Sequence, residues 1–209
     1  IVMIKRKNIW LFDAGHGGII NGEYQTSGKR SPIWEDGTQY FEGVGNRQIV
    51  QKLIAKCEEH YIYNFDVVES EFDISLSERV KRANRLHKSL GNCIYVSVHS
   101  NGFSKESANG YSIYTSKGET KSDKIAEIFI DNMMEFFPDH KLRRDLSDGD
   151  KDKEAQFYVL KSTHCPAILI ENFFMTNYRE CKLLMNEEFQ NKIVDCHFKS
   201  ILQIEENGY

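Results

Sequence analysis

The sequence has no apolar run approaching the roughly 20 residues that a membrane-spanning helix needs, so no span is expected. It has no surplus of positive charge either: 27 Lys and Arg stand against 31 Asp and Glu, a formal net charge of −4. That removes the basic footprint of a nucleic-acid binder. Paired cysteines are missing as well. Cys57, Cys93, Cys165, Cys181 and Cys196 are odd in number and contain no C-x-x-C pair. This favours free thiols, packed as small apolar fillers, and synthesis in a reducing compartment. The opening residues, Ile1-Val2-Met3-Ile4-Lys5-Arg6-Lys7, hold no apolar h-region, so synthesis in the cytoplasm without an export signal is expected. Repeats, low-complexity tracts and linkers are also lacking. The 209 residues fit one domain, expected to span 1–209 with its core over about 8–204.

What is present begins with 40% apolar and 12% aromatic residues, enough for a sizeable core and against disorder. The run Ala167-Ile168-Leu169-Ile170, preceded by Pro166, ends on Glu171. An uninterrupted apolar run rich in β-branched residues reads as a strand buried on both faces. A carboxylate at its C-terminal end lies where open α/β sheets bind ligands. Two other runs end alike: Ile9-Trp10-Leu11-Phe12-Asp13 leads into Gly15-His16-Gly17-Gly18, and Ile94-Tyr95-Val96-Ser97-Val98 leads into His99. If these strands are parallel neighbours, two histidines and a glutamate meet at one rim.

Periodicity predicts helices over about 42–61, over 76–90 behind the capping box Ser75-Leu76-Ser77-Glu78, and over about 122–137. Asn177 caps another, and Phe189, Ile193, Cys196, Ile201 and Ile204 stripe a last one. Short strands are expected at 65–69 and 110–115. The polar stretch 19–41 is too long for a plain connector and is expected to be a functional loop or to carry a small hairpin. The segment 138–155, with Asp145, Asp148, Asp150 and Asp152, reads as a solvated loop. Strands alternating with helices predict an α/β class: a single domain with a mostly parallel central sheet flanked by helices on both faces.

Four residues could carry chemistry. His16 sits among glycines, which would let a metal and a substrate backbone come close. His99 follows a buried strand, where a titratable group is costly unless paired or ligated. Glu42 opens the first helix, where the helix dipole alone favours a carboxylate. Together, two imidazoles and one carboxylate form a catalytic zinc set with a fourth position left for water, and Glu171 supplies a base for that water. Asp13, Asn46, Ser97 and Asn101 are candidates for holding the imidazoles and Glu42, each with the alternative reading of a turn or cap residue. His60, His87, His140, His164 and His197 read as surface or satisfied core residues.

The motifs resemble those of the zinc-dependent N-acetylmuramoyl-L-alanine amidases of type 3. Asp13-Ala14-Gly15-His16-Gly17-Gly18 is similar to that family's first metal motif, with Ala14 where proline is more usual. Glu42-Gly43-Val44-Gly45-Asn46 resembles its glutamate ligand, and Ser97-Val98-His99-Ser100-Asn101 its second histidine. Ser77-Glu78-Arg79-Val80-Lys81-Arg82-Ala83-Asn84 resembles its arginine-and-Ala-Asn helix, and Pro166 to Asn177 the strand bearing its catalytic glutamate. The likeness runs over about residues 8–204. It implies one zinc ion per chain on His16, Glu42 and His99, Glu171 as the catalytic residue, and hydrolysis of the amide joining N-acetylmuramic acid to L-alanine. The partner would then be peptidoglycan and the place of action the cell wall, in the manner of a phage-type lysin.

Two departures shape further expectations. The interval from His16 to Glu42 is longer than the family pattern, so 19–41 is expected to be an insertion beside the groove. The segment 138–157 is too short for the autoinhibitory helix of some relatives, so an open site is expected. Three readings compete. A non-catalytic peptidoglycan-binding module would not need Glu171, and a zinc peptidase acting on the stem peptide would use the same ligands. A cysteine nucleophile beside His164 would be Cys165, which about 20 Å of strand separates from Glu171.

Overall fold

The computed structural model describes residues 7–147 and 149–209; Ile1 to Arg6 and Asp148, read above, lie outside the described residues. Strand β1 (Ile9–Ala14) is followed by β2 (Ile19–Ile20), β3 (Glu23–Tyr24), helix α1 (Glu42–Glu59) and β4 (Asn64–Asp66). Next come α2 (Leu76–Leu90), β5 (Cys93–Asn101), β6 (Ser112–Thr115), α3 (Lys121–Phe136) and β7 (Lys153–Glu154). The chain ends with α4 (Tyr158–Ser162), β8 (Ala167–Phe174), α5 (Tyr178–Leu184) and α6 (Glu187–Asn207).

Six strands form one sheet in the order β4-β1-β5-β8-β6-β7, with β4, β1, β5 and β8 parallel and β6 antiparallel to β8. The expected mostly parallel sheet is present. The reversal at β6 has a simple cause. No helix lies between Asn101 and Ser112 to carry the chain back across the sheet, so β6 starts at the rim where β5 ended. In the stretch 19–41, β2 and β3 make a two-residue ladder, and Arg30 bridges to Phe41.

Side-chain alternation along the strands divides the core into two layers. Trp10, Phe12, Ile94, Val96, Ile168 and Ile170 pack against apolar residues of α1, α3 and α6. Leu11, Tyr95, Ala167 and Leu169 face Val80 and Ala83 of α2 and Val159 and Leu160 of α4. Helices therefore cover both faces, as expected. Helix starts follow their caps: Ser75 accepts from the Glu78 N–H at 3.3 Å, and Asn186 from the Phe189 N–H at 2.9 Å. All five cysteines are buried.

Some expectations need correction. His99 does not follow its strand, and Glu171 does not end its own; β5 runs on to Asn101 and β8 to Phe174. Backbone pairing continues past a polar side chain, here with a register shift between His99 and Asn101 and a left-handed Phe173 (φ 60°) in the lengthened strand. The strand near 65–69 covers Asn64–Asp66, and the segment 138–155 contributes β7.

One buried histidine has a measurable consequence. His197 of α6 donates through Nε2 to Asn172 Oδ1 at 3.0 Å, and Asn172 Nδ2 reaches the His99 carbonyl at 3.4 Å. Burial pulls the pKa of His197 from 6.5 to about 3. The folded protein thus keeps this ring neutral while the unfolded chain takes up a proton below about 6.5. Its contribution to stability is complete above that pH and is lost as the pH falls toward 3. Thermal midpoints are expected to decline over this range, and less steeply in His197→Gln; equal slopes would assign the decline to other groups.

Candidate functional site

The sheet register assembles the site. In parallel strands β5 and β8, His99 stands directly beside Glu171, so both side chains project from the same face. On the other flank of β5, Asp13 of β1 stands beside Ser97, and the chain then turns through Gly15 to His16. His16 takes a left-handed conformation (φ 68°) that is uncommon outside glycine. Glu42, at the first position of α1, completes the group. Helix α1 can press this close because Gly43 carries no side chain: a Cβ there would lie 1.9 Å from the Gly17 carbonyl oxygen.

His16 Nε2 lies 3.2 Å and His99 Nδ1 3.1 Å from the same oxygen, Glu42 Oε1. The two rings stand edge to face at 89°. A nitrogen or oxygen of each of the three residues lies within 4.8 Å of the others, so the trio could hold a metal ion. Tetrahedral ligands bonded at about 2.0–2.1 Å are separated by about 3.3 Å, close to the two measured spacings. The donor set fits a borderline cation rather than a hard one, since two of three donors are imidazole nitrogens.

Electrostatics separate the two carboxylates. Burial works to raise Glu42, but hydrogen bonds from both imidazoles outweigh it and hold the carboxyl well below its usual range. Burial works to lower His99, and Glu42 outweighs it in turn, leaving the ring raised. Glu171 goes the other way. Desolvation pushes it up to about 7, with the Glu42 charge adding to the rise and His99 opposing it. Its Oε2 is buried and meets no hydrogen-bond partner among the described residues.

The candidates for holding the site behave differently from one another. Asn46 Nδ2 donates to the Gly15 carbonyl at 3.2 Å, and the Ser100 hydroxyl reaches Asn46 Oδ1 at 3.4 Å. Asp13 and Ser97 do not touch the imidazoles. Ser97 donates to Asp13 at 2.6 Å, and Asp13 pairs with Arg79 of α2. Their hold on the site is indirect, through the Arg79 bonds to the carbonyls of Ala14 (2.7 Å) and His16 (3.1 Å). Asn101 bonds none of the trio: its side chain accepts from the Gly102 N–H at 2.8 Å and lines the cleft, because the strand carries it one turn of the pleat past His99.

Sequence reasoning missed the part played by two buried arginines. Arg47 of α1 donates to the carbonyls of His16 (2.8 Å) and Gly43 (2.9 Å), and Arg79 shares the His16 carbonyl. Only the motif around Arg79 gave a signal. Asn84, from the same motif, grips Ser162 O at 3.0 Å and the His164 N–H at 2.7 Å, fixing α4 against α2.

The trio and Glu171 lie in a cleft of about 960 Å³. Lys29 and Arg30 from the stretch 19–41 line one part of it, and Phe103, Phe157 and Tyr158 line others. Among the described residues no helix lies between Phe136 and Tyr158. Cys165 is no competitor. It precedes β8 at the end away from Glu171, and burial pushes its thiol up to about 12. No helix of the described residues is long and apolar enough to cross a membrane.

Comparison with known proteins gives the family. The sequence profile of the N-acetylmuramoyl-L-alanine amidase family matches residues 11–203. The chain is similar to the endolysin of Bacillus phage SPP1, at 27% identity over 206 residues, covering 95% of this chain and 66% of the endolysin. It is also similar to the N-acetylmuramoyl-L-alanine amidase AmiA of Salmonella typhimurium, at 26% identity, covering 90% of this chain and 72% of that protein. In fold it is similar to the crystal structure of an N-acetylmuramoyl-L-alanine amidase from Clostridium difficile 630. That likeness has a TM-score of 0.76 and 24% identity and covers 97% of this chain and all of that one. The chain belongs to the N-acetylmuramoyl-L-alanine amidase family of cell-wall hydrolases.

Proposed function

We propose that this chain cleaves the amide between N-acetylmuramic acid and L-alanine of peptidoglycan, with one zinc ion on His16, Glu42 and His99 and with Glu171 moving the proton. The observation that carries this reading is the unpartnered, buried Oε2 of Glu171 beside three converging ligand atoms. When bound, zinc supplies the positive charge that acidifies a water and polarises the scissile carbonyl. Glu171, raised to about 7, accepts the proton of the attacking water as the new C–O bond forms. It then returns that proton to the alanine nitrogen as the C–N bond breaks. The buried Oε2 keeps the transferred proton from bulk water between the two steps.

The stretch 19–41 is read as an insertion that builds one wall of the groove, placing Lys29 and Arg30 where an anionic stem peptide would pass. An odd number of cysteines, all buried and with no C-x-x-C pair, and the likeness to an endolysin support a lysin made in a reducing compartment and acting on the wall. The test is the chemistry of the products. Zinc-loaded protein incubated with purified sacculi is expected to release new L-alanine amino termini and no new sugar reducing ends. New amino groups on other stem residues would mean a peptidase, and sedimentation with sacculi without release would mean a binding module.

A further inference from the structure

Away from the cleft, at the outer edge of the sheet, the loop before β7 meets the N-terminus of α3. This segment was expected to be solvated, yet Asp152 is only 1% exposed and its partner Thr115 is fully buried. Thr115 Oγ1 donates to Asp152 Oδ2 at 2.6 Å. The other oxygen, Asp152 Oδ1, is buried and meets no hydrogen-bond partner among the described residues. Asp152 belongs to a group of carboxylates: Asp123, Asp150 and Asp152 each offer an oxygen within 4.8 Å of the others.

The two lysines that alternate with these residues in sequence are engaged elsewhere. Lys151 Nζ is taken by Asp131 at 2.6 Å and by Glu127 at 3.5 Å. Lys153 Nζ lies over the Tyr114 ring, 5.3 Å from its centre. A buried carboxylate oxygen without a donor, in a group with two further carboxylates, is an arrangement that a bound cation satisfies and water-filled loops do not need. Burial, followed by the charge of Asp150, raises Asp152 to about 7, against the Thr115 hydrogen bond.

We propose that Asp123, Asp150 and Asp152 form a second, all-oxygen cation site, separate from the catalytic centre, that takes Ca2+. Carboxylate oxygens with neither imidazole nor thiolate suit a hard cation. Calcium tolerates the irregular geometry of a loop and completes its shell with water or carbonyl oxygens, whereas Mg2+ demands a near-ideal octahedron. The ion would tie the loop before β7 to the start of α3 and to β6. A few residues beyond β7 the chain reaches Phe157 and Tyr158 at the cleft, so the site would brace that wall of the groove. This inference stands apart from the amidase reading and does not use it.

The test is calcium titration of the zinc-loaded protein by calorimetry and thermal melting. One Ca2+ per chain is expected, with a Kd of about 10⁻⁴ to 10⁻³ M, in the range of extracellular modules. At about ten times that Kd the thermal midpoint should rise by roughly 3–6 °C. Asp152→Asn keeps an acceptor for Thr115 and removes a charge. It should abolish the calcium response, hold its zinc, and melt above the wild type when calcium is absent. Asp150→Asn, at a less buried position, should also abolish the response. Failure of the wild type to bind Ca2+ at 10 mM, an undiminished response in the variants, or an equal response to Mg2+ would overturn the proposal.

Discussion

Glu171→Gln is expected to keep its zinc and its fold while losing peptidoglycan hydrolysis by a factor of about 10² to 10⁴. The expectation rests on what the carboxyl does and does not touch. Glu171 is held between His99 and Ser112 by strand pairing, so its position comes from the backbone and survives a change of side chain. Its Oε2 has no hydrogen-bond partner among the described residues, so the amide breaks no bond there. The three ligand residues are untouched, and metal content should stay at one per chain. What the amide lacks is a site for a proton. Desolvation, helped by Glu42 and opposed by His99, raises the carboxyl to about 7, near neutral pH, where a group both accepts and returns a proton. Metal analysis, melting and amino-group release from sacculi check the three parts separately. A wild-type rate would remove the proton role from Glu171, and loss of zinc would make it a ligand instead.

The same residues show what the sequence carries and what it leaves out. His16, His99 and Glu171 are legible because each follows an apolar run, and a parallel sheet turns the ends of such runs into one rim. Glu42 is legible only through its motif, since a carboxylate opening a helix is favoured by the helix dipole anyway. The extent of β5 and β8 is not legible, because strand pairing is a property of two backbones and continues beneath polar side chains. Asp152 is hidden for a related reason. Its run of acidic neighbours reads as solvated surface, and its burial is decided by Thr115 on a strand far away in sequence. Arg47 and Arg79 are the plainest case. An arginine on a helix reads as exposed, and nothing local reveals that a distant loop turns its carbonyls toward it.

Arg79→Met is therefore expected to destabilise the fold by about 3–5 kcal/mol, the usual cost of leaving one member of a buried ion pair alone. Both members are enclosed, at 2% exposure for Arg79 and 1% for Asp13. Burial works to raise Asp13, and the guanidinium, joined by the Ser97 and Tyr95 hydroxyls, holds the carboxyl below its ordinary value. Without Arg79, the Ser97 and Tyr95 hydroxyls still face that charge but no guanidinium does, and the carbonyls of Ile74, Ala14 and His16 each lose a donor. The last of these links stability to the site. The left-handed His16 is anchored through its carbonyl by Arg79 and Arg47 together, so zinc affinity should fall by about 10- to 100-fold, as for other groups that orient ligands. Arg79→Lys should recover little, because a single ammonium cannot reach Asp13 and three carbonyls at once. The double variant Asp13→Asn with Arg79→Met should be less destabilised than the sum of the single changes, since it removes the stranded charge. Denaturant melts and zinc titrations of the four proteins separate these effects; additive losses, or an Arg79→Met protein with wild-type zinc affinity, would show that the buried pair does not support the metal centre.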